Sequence, residues 1–398
     1  MIAGREPPRH VVVTALGIAQ ILGWGTSFYF PAVFAEPIVA DTGWPLGGVV
    51  GGISIGLLVA GLVSPRVGDI IAKIGGRPVL AASSILFAIG LTGIGLAPGL
   101  PLYLSAWAVV GLAMGAGLYD AAFAALGRLY GQEARGPITT LTLFGGFAST
   151  ICWPLSAYLV QKYGWRETCF VYAALHFFVA MPLQLVMPTR VASDGAAKAS
   201  AGKGGSAVIL PGERLVFALI ALVLTFAAGI GAIIVVHLLI FLQARGVDYA
   251  AAVTIGTLFG PAQVGARVVE RLFGQHYHPI WTMVAACVLM AAGLLLIGSG
   301  SSVMVIAVVI YGAGYGISWV ARGTLPLALF GAERYPRLMG RLAFPSLIVQ
   351  ALSPSAGAWL IERQGADVAI EVLLAFAALN VVLIGVLWAV CRSRQLIR

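Results

Sequence analysis

Apolar runs of about twenty residues follow one another along nearly the whole chain, joined by connections too short to build a soluble domain. They can be drawn at 11–35, 47–65, 79–97, 102–130, 138–161, 167–187, 214–243, 249–269, 280–298, 302–330, 341–361 and 368–391, which makes twelve. A helix needs about 20 predominantly apolar residues to cross the roughly 30 Å hydrocarbon core of a bilayer. Each run therefore reads as one crossing, and the expected fold is an all-α polytopic membrane protein of twelve transmembrane helices. Composition agrees: 60% of the 398 residues are apolar and 10% charged, against about 25% charged in soluble domains. The 51 glycines and 20 prolines would signal disorder in a polar chain, but here they fall inside apolar runs, where membrane helices tolerate both. A soluble catalytic domain is excluded.

The formal charge of +9 raises the question of nucleic acid, and the positions of the basic residues answer it. If both termini are inside, 19 of the 24 Lys and Arg fall on the inner side; Lys162, Arg166, Arg245 and Arg363 fall outside, and Arg322 lies within the tenth run. That bias follows the positive-inside rule. The basic balance is thus a topology signal, and the expected partners are the lipid bilayer and a small solute, with no nucleic acid and a monomeric chain. Cys152, Cys169, Cys287 and Cys391 lie in or at the ends of apolar runs with no CxxC, so neither a disulfide framework nor a metal site is expected. The N-terminal segment has no A-x-A-like cleavage site and reads as retained. The sole asparagine, Asn380, precedes Val381-Val382, so no glycosylation acceptor exists. The expected location is a bacterial-type inner (plasma) membrane, multi-pass, with cytoplasmic termini.

One long polar stretch, 188–213, contains SDGAAKASAGKGGS, the composition of a flexible linker. It separates an N-terminal six-helix bundle, 1–187, from a C-terminal one, 214–398. The halves repeat weakly at an offset of 200. Ser54-Ile55-Gly56-Leu57-Leu58 lies over Thr254-Ile255-Gly256-Thr257-Leu258, Pro154 over Pro354, Tyr119 over Trp319, and Tyr130-Gly131 over Phe330-Gly331. Internal repeats of this kind place a site near the midplane of many secondary transporters. The glycine series Gly111-x-x-x-Gly115 and Gly312-x-Gly314-x-Gly316 read as close helix contacts. They carry no phosphate-loop meaning, because neither strand nor GKS/GKT accompanies them.

The connection after the second run, Gly68-Asp69-Ile70-Ile71-Ala72-Lys73-Ile74-Gly75-Gly76-Arg77-Pro78, resembles the G-x-x-x-D-R-x-G-R-R loop of the major facilitator superfamily. Gly68, Lys73, Gly75 and Arg77 are in place; Ala72 stands where the family has aspartate, with Asp69 one turn earlier. Gly43-Trp44, Gly164-Trp165-Arg166, Val236-His237-Leu238-Leu239 and Gln243-Ala244-Arg245-Gly246 are similar to further patterns of the branch that holds the monocarboxylate transporters and the oxalate/formate exchangers. The resemblance implies alternating access between two six-helix bundles, and assigns Gly68, Asp69, Lys73, Gly75 and Arg77 to the conformational loop. Gln263-Val264-Gly265-Ala266-Arg267 resembles the D-x-x-x-R of monocarboxylate transporters. The resemblance implies carboxylate recognition for Arg267, with snorkelling near the inner end of its helix as the equal alternative, but no proton role at Gln263, and the family's helix-one lysine is missing from Gly23–Phe30.

An ionisable group at the bilayer centre costs about 2.5–3.5 kcal/mol even on the mildest scale, so each one is a functional candidate. Asp120 lies in the fourth run and Arg322 in the tenth. Under the 200 offset they differ by two residues, or about 3 Å of helical rise. In the resembled fold these two helices line the cavity. A structural salt bridge is one reading. The sharper one gives Arg322 or Arg267 to an anionic substrate group, since a guanidinium stays charged and offers a planar fork, and gives Asp120 to the proton. His237 is the second proton candidate, ahead of His176. Tyr29, Tyr119 and Trp319, with Trp24 and Tyr315, are candidate pocket walls or, equally, packing residues.

The expected function is secondary active transport of a small, monocarboxylate-like organic anion, coupled to protons. Proton-coupled efflux of drugs or toxic solutes is the alternative, and a non-transporting sensor a more distant one. No Walker motif exists for ATP drive, and no paired-carboxylate, HExxH or Ser/His constellation points to an enzyme or a cofactor. The charge bias generates a direct test of topology. In a variant lacking the four native cysteines, Ser200→Cys should stay unlabelled by an impermeant maleimide applied to intact cells; labelling from outside would reverse the orientation.

Overall fold

The computed structural model describes residues 7–189, 208–300 and 303–397. Most of the expected linker, 190–207, lies outside them, as do Arg5, Arg190, Lys198, Lys203 and Arg398 of the inner-side basic set. Among the described residues every regular element is helical. Helix occupies each of the twelve apolar runs. Spans one to six are built from Arg9–Gly25 with Pro31–Thr42, Leu46–Ile74, Gly76–Leu96, Leu100–Gly117 with Tyr119–Tyr130, Arg135–Gly146 with Ala148–Tyr163, and Trp165–Leu175 with a π-turn at His176–Ala180 and Met181–Leu185. Spans seven to ten are Arg214–Ala244, Tyr249–Thr257 with Phe259–Phe273, Pro279–Ser299 and Met304–Phe330. The last helical stretch, Tyr335–Ser393, holds two spans that meet at Gly365, where φ is 89°. Its 59 residues would otherwise reach about 90 Å, some three times the hydrocarbon thickness.

Spans one, four, five and eight, each expected as a single helix, are interrupted, and the first and fourth show how. Span one runs on to Thr42 but breaks over 26–30. Thr26 and Ser27 turn their hydroxyls back onto the Leu22 and Gly23 carbonyls, at 2.8 and 2.5 Å, a bond that bends helices. Pro31 then has no N–H to continue the ladder and starts the next piece instead. Span four breaks at Leu118, whose extended backbone (φ −79°, ψ −169°) separates Gly117 from Tyr119. Hydropathy does not register a one-residue break, because Leu118 is as apolar as its neighbours.

The contacts divide the chain into two units, Met1–Val208 with Phe330–Phe344, and Ile209–Leu329 with Pro345–Arg398. In the first, span four lies on span two through the expected small residues. A Cβ on Gly111 would come within 2.5 Å of the Gly56 carbonyl oxygen, and one on Gly115 within 3.0 Å of that of Ala60. Phe30, Phe34, Tyr103 and Trp107 fill the space beside this contact, with Phe30 stacked on Phe34 and edge-on to Trp107. In the second unit, span ten approaches span eight in the same way. A Cβ on Gly312 would sit 3.0 Å from the Phe259 carbonyl oxygen, and one on Gly316 2.6 Å from that of Gln263.

Both units tie three helix ends together on the expected outer side. Arg166 donates to the carbonyls of Gly95 and Ala97, each at 2.9 Å, where span three ends. It stacks on Trp165 and lies 3.8 Å from Asp41 at the end of span one. In the second unit Arg245, at the end of span seven, donates to the Ile297 carbonyl of span nine at 3.2 Å and pairs with Asp367 of span twelve. Position 297 is the repeat mate of 97. The repeat conserves the clamp and exchanges the places of acid and base.

The repeat also recurs in backbone conformation. Gly131 and Gly331, offset by 200, both carry positive φ, 59° and 75°, where spans four and ten turn into the next. At Gly131 ψ is −134°, a region held almost solely by glycine, at a cost of about 1–3 kcal/mol for other residues. Gly131→Ala should therefore lower the melting temperature of the purified protein. Gly136→Ala, inside a helix with open space around it, should leave it unchanged or raise it. Equal melting of Gly131→Ala and wild type would refute the conformational requirement.

Candidate functional site

In the second unit, the joint at Leu258 divides span eight, and Arg267 lies on its C-terminal piece. Arg267 is buried, so it does not snorkel to the membrane surface. Because Gly316 brings the backbone of span ten close, the Arg267 Nε donates to the Gly316 carbonyl at 3.0 Å, and Nη2 to Gln263 Oε1 at 3.3 Å. Gln263 thus accepts a hydrogen bond from the arginine as a neutral amide, where an aspartate would bring a charge. Arg322 is equally buried, with its guanidinium carbon 5.5 Å from the centre of the Trp319 ring, within cation–π range. Trp319 in turn meets Tyr315 edge-on at 6.1 Å. The structure brings together two of the expected site residues here, Arg322 and Trp319. Tyr315 serves packing: it fills the space over Gly231 and stacks with Tyr311 and Phe259. His237 of span seven is buried, and its Nε2 donates to the Pro354 carbonyl of span eleven at 2.9 Å.

In the first unit, the break at Leu118 starts a new helix at Tyr119, so Asp120 stands in its first turn. A helix N-terminus carries partial positive charge, which favours a carboxylate. Asp120 is half-buried and borders a small recess together with Ser64, Gly68, Gly115 and Gly340. Tyr119, Trp24, Phe28, Tyr29 and Trp153 form a row of ring contacts with centroids 5.0, 5.5, 5.4 and 6.0 Å apart. The row links the two expected tyrosines, Tyr29 and Tyr119, through Trp24 and Phe28. Asp120 belongs to the first unit and Arg322 to the second.

The expected conformational loop also lies in the first unit. Asp69 accepts a hydrogen bond from Arg341 Nη1 at 3.1 Å and lies 3.9 Å from Arg337 Nε. The close approach of Gly68 and Gly340 permits this, since a Cβ on Gly68 would stand 2.5 Å from the Pro336 carbonyl oxygen and 3.2 Å from the Gly340 Cα. Gly75 ends span two at φ 95°. Arg128 donates to the carbonyls of Ile71 and Lys73, at 2.8 and 3.4 Å, capping the end of span two. The Lys73 side chain is exposed and Arg77 is half-buried.

Sequence reasoning missed the buried Gln20, Ser84 and Gln184, and the partner of His176, which it had named as a candidate. Gln20 donates to the Gly117 carbonyl at 2.6 Å, satisfying the backbone freed by the break in span four, and accepts from Trp24 Nε1 at 3.2 Å. His176 meets Thr26 at 2.7 Å and stacks on Phe87, which joins the π-turn of span six to the break in span one. Ser84 donates to Gln184 at 2.6 Å. Glutamine within an apolar run was the available signal, but uncharged residues do not stand out as ionisable ones do.

Comparison with known proteins bears on the fold. The human organic anion transporter MFSD10 (TETRAN) is similar in structure, with a TM-score of 0.69 and 16% identity over 95% of this chain and 100% of that one. The proton:xylose symporter XylE, bound to 6-bromo-6-deoxy-D-glucose, gives a TM-score of 0.71 with 12% identity over 94% of each chain. A double-tryptophan variant of XylE gives 0.70, also at 12% identity over 94% of each chain. No curated protein sequence matches. These likenesses show the twelve-helix fold. The sequence profile of the Major Facilitator Superfamily matches residues 15–281, more than half of the chain. The chain belongs to the Major Facilitator Superfamily.

Proposed function

We propose that this secondary transporter moves a small organic anion by alternating access, coupled to protons. The observation that carries the anion is the pair of buried arginines at membrane depth, Arg322 and Arg267. A buried guanidinium is costly, and substrate binding is the reason it is kept. Arg322 is the primary anchor, with Trp319 against its face, and Arg267, whose Nε and Nη2 are already engaged, is the secondary one. Tyr29 and Tyr119 supply apolar wall in the first unit. Asp120 takes and releases the proton, and His237 stands next in line. Asp69, with Gly68, Lys73, Gly75 and Arg77, forms the conformational loop, in which the pairing of Asp69 with Arg341 and Arg337 supports Asp69 as the acid in place of Ala72. The six-helix halves 1–187 and 214–398 are the moving bodies, in the cell membrane with both termini inside.

Arg322→Lys keeps the charge and loses the fork. Hydrogen bonds to charged groups contribute about 1.5–3 kcal/mol, so substrate affinity should fall by about 10- to 100-fold, with a smaller loss for Arg267→Lys. Uptake of radiolabelled monocarboxylates into proteoliposomes measures both. Wild-type affinity and rate in both variants would remove the arginines from the site.

Asp120→Asn imitates the protonated acid. It should abolish accumulation driven by a pH gradient while leaving counterflow exchange and substrate binding. If Asp120 serves only as a structural partner, both activities and the melting temperature should fall together. Removing one member of a buried pair costs about 3–5 kcal/mol. Normal proton-driven accumulation would pass the proton role to His237.

A further inference from the structure

We propose that Trp281, Trp388 and Arg392 form a headgroup site for an anionic phospholipid on the second unit. Trp281 stands in the first turn of span nine and Trp388 in the last turns of span twelve. Their rings lie 5.9 Å apart, inclined at 56°. The Arg392 guanidinium sits 5.2 Å from the Trp388 ring centre, one turn beyond it and at the end of the apolar run. Trp281 is 48% exposed and Arg392 exposed, and among the described residues Arg392 forms no ion pair with a carboxylate. The site thus presents a positive charge held over an indole face, beside a second indole, at the depth where aromatic side chains favour the membrane–water boundary.

The face below it suits acyl chains. Spans nine and twelve are neighbours, since Asn380 Nδ2 donates to Cys287 Sγ at 3.6 Å on their buried sides. On the exposed side, Val288 and Leu295 continue the line of Trp281 along span nine. At 1.5 Å per residue this stripe reaches about 20 Å below Trp281, more than the roughly 15 Å that one leaflet of hydrocarbon spans. An apolar stripe of leaflet depth, ending in one uncompensated cation, fits a two-chain lipid with an acidic headgroup better than a zwitterionic one.

The full chain in nanodiscs of phosphatidylcholine, doped with a minor fraction of lipid brominated on its acyl chains, tests this. Bromine quenches nearby tryptophan, and the difference between wild type and Trp281→Phe/Trp388→Phe isolates the pair. Brominated phosphatidylglycerol should quench the pair with an apparent affinity about fivefold above that of brominated phosphatidylcholine, the factor one basic residue supplies at an anionic surface. Arg392→Gln should bring the ratio close to one without changing the melting temperature. If the double variant does not fold, Trp281→Phe alone gives the same comparison. Equal quenching by the two lipids, or a preference that survives Arg392→Gln, would overturn the proposal. So would relief of quenching by millimolar glycerol 3-phosphate, which would mark a free-phosphate site, or absence of quenching with cross-linking of two copies through this face.

Discussion

Hydrocarbon offers no hydrogen bonds, so backbone groups carried into the membrane need partners within the protein, and buried polar side chains gain from them. The interruptions of this fold follow that constraint. Span four can break at Leu118 because Gln20 accepts the duty of water at the Gly117 carbonyl. Span one can bend at Thr26 and Ser27 because their hydroxyls take the carbonyls one turn back. Arg267 enters the interior with Gly316 and Gln263 as acceptors, and His237 does so against Pro354. In each case the feature that gives the membrane region its chemistry exists only together with the residue that satisfies it.

That pairing also separates what was legible in the sequence from what was not. The twelve spans were legible, because each is a run of apolar residues long enough to cross and hydropathy is a local property. The charges in the membrane were legible for the same reason: Arg322 and Asp120 stand out against their neighbours. Their partners were not. Gln20 and Gly117 are 97 residues apart, and Asp69 and Arg341 are 272 apart; no spacing rule within one helix connects them. The break at Leu118 was invisible because neither proline nor a polar residue marks it, whereas the break before Pro31 carried Thr26, Ser27 and the proline itself.

The internal repeat shows what the two halves had to keep. Gly131 and Gly331 share a positive φ, and Pro154 and Pro354 both lie inside helices, so turns and bends persisted. Side-chain chemistry was free to change wherever the geometry allowed a substitute. The outer clamps keep an arginine on the end of span three or nine, yet acid and base have traded places between Asp41/Arg166 and Arg245/Asp367. An ion pair is indifferent to which member carries which sign, so such an exchange preserves the contact.

Spans four and ten diverge further, and there the difference is chemical. Span four breaks, and Asp120 falls in the first turn of a helix begun within the apolar run. Span ten runs unbroken from Met304 to Phe330, and its arginine, two residues from the repeat mate of Asp120, lies in mid-helix over the Trp319 ring. A helix start favours negative charge, while the face of an indole favours positive charge. Each half has therefore built the local field that suits the sign of the charge it carries, with Tyr119 and Trp319, the paired aromatics of the repeat, beside the two charges. An acid in one half and an arginine in the other is the arrangement on which the proposed division of proton and anion handling between the bundles rests.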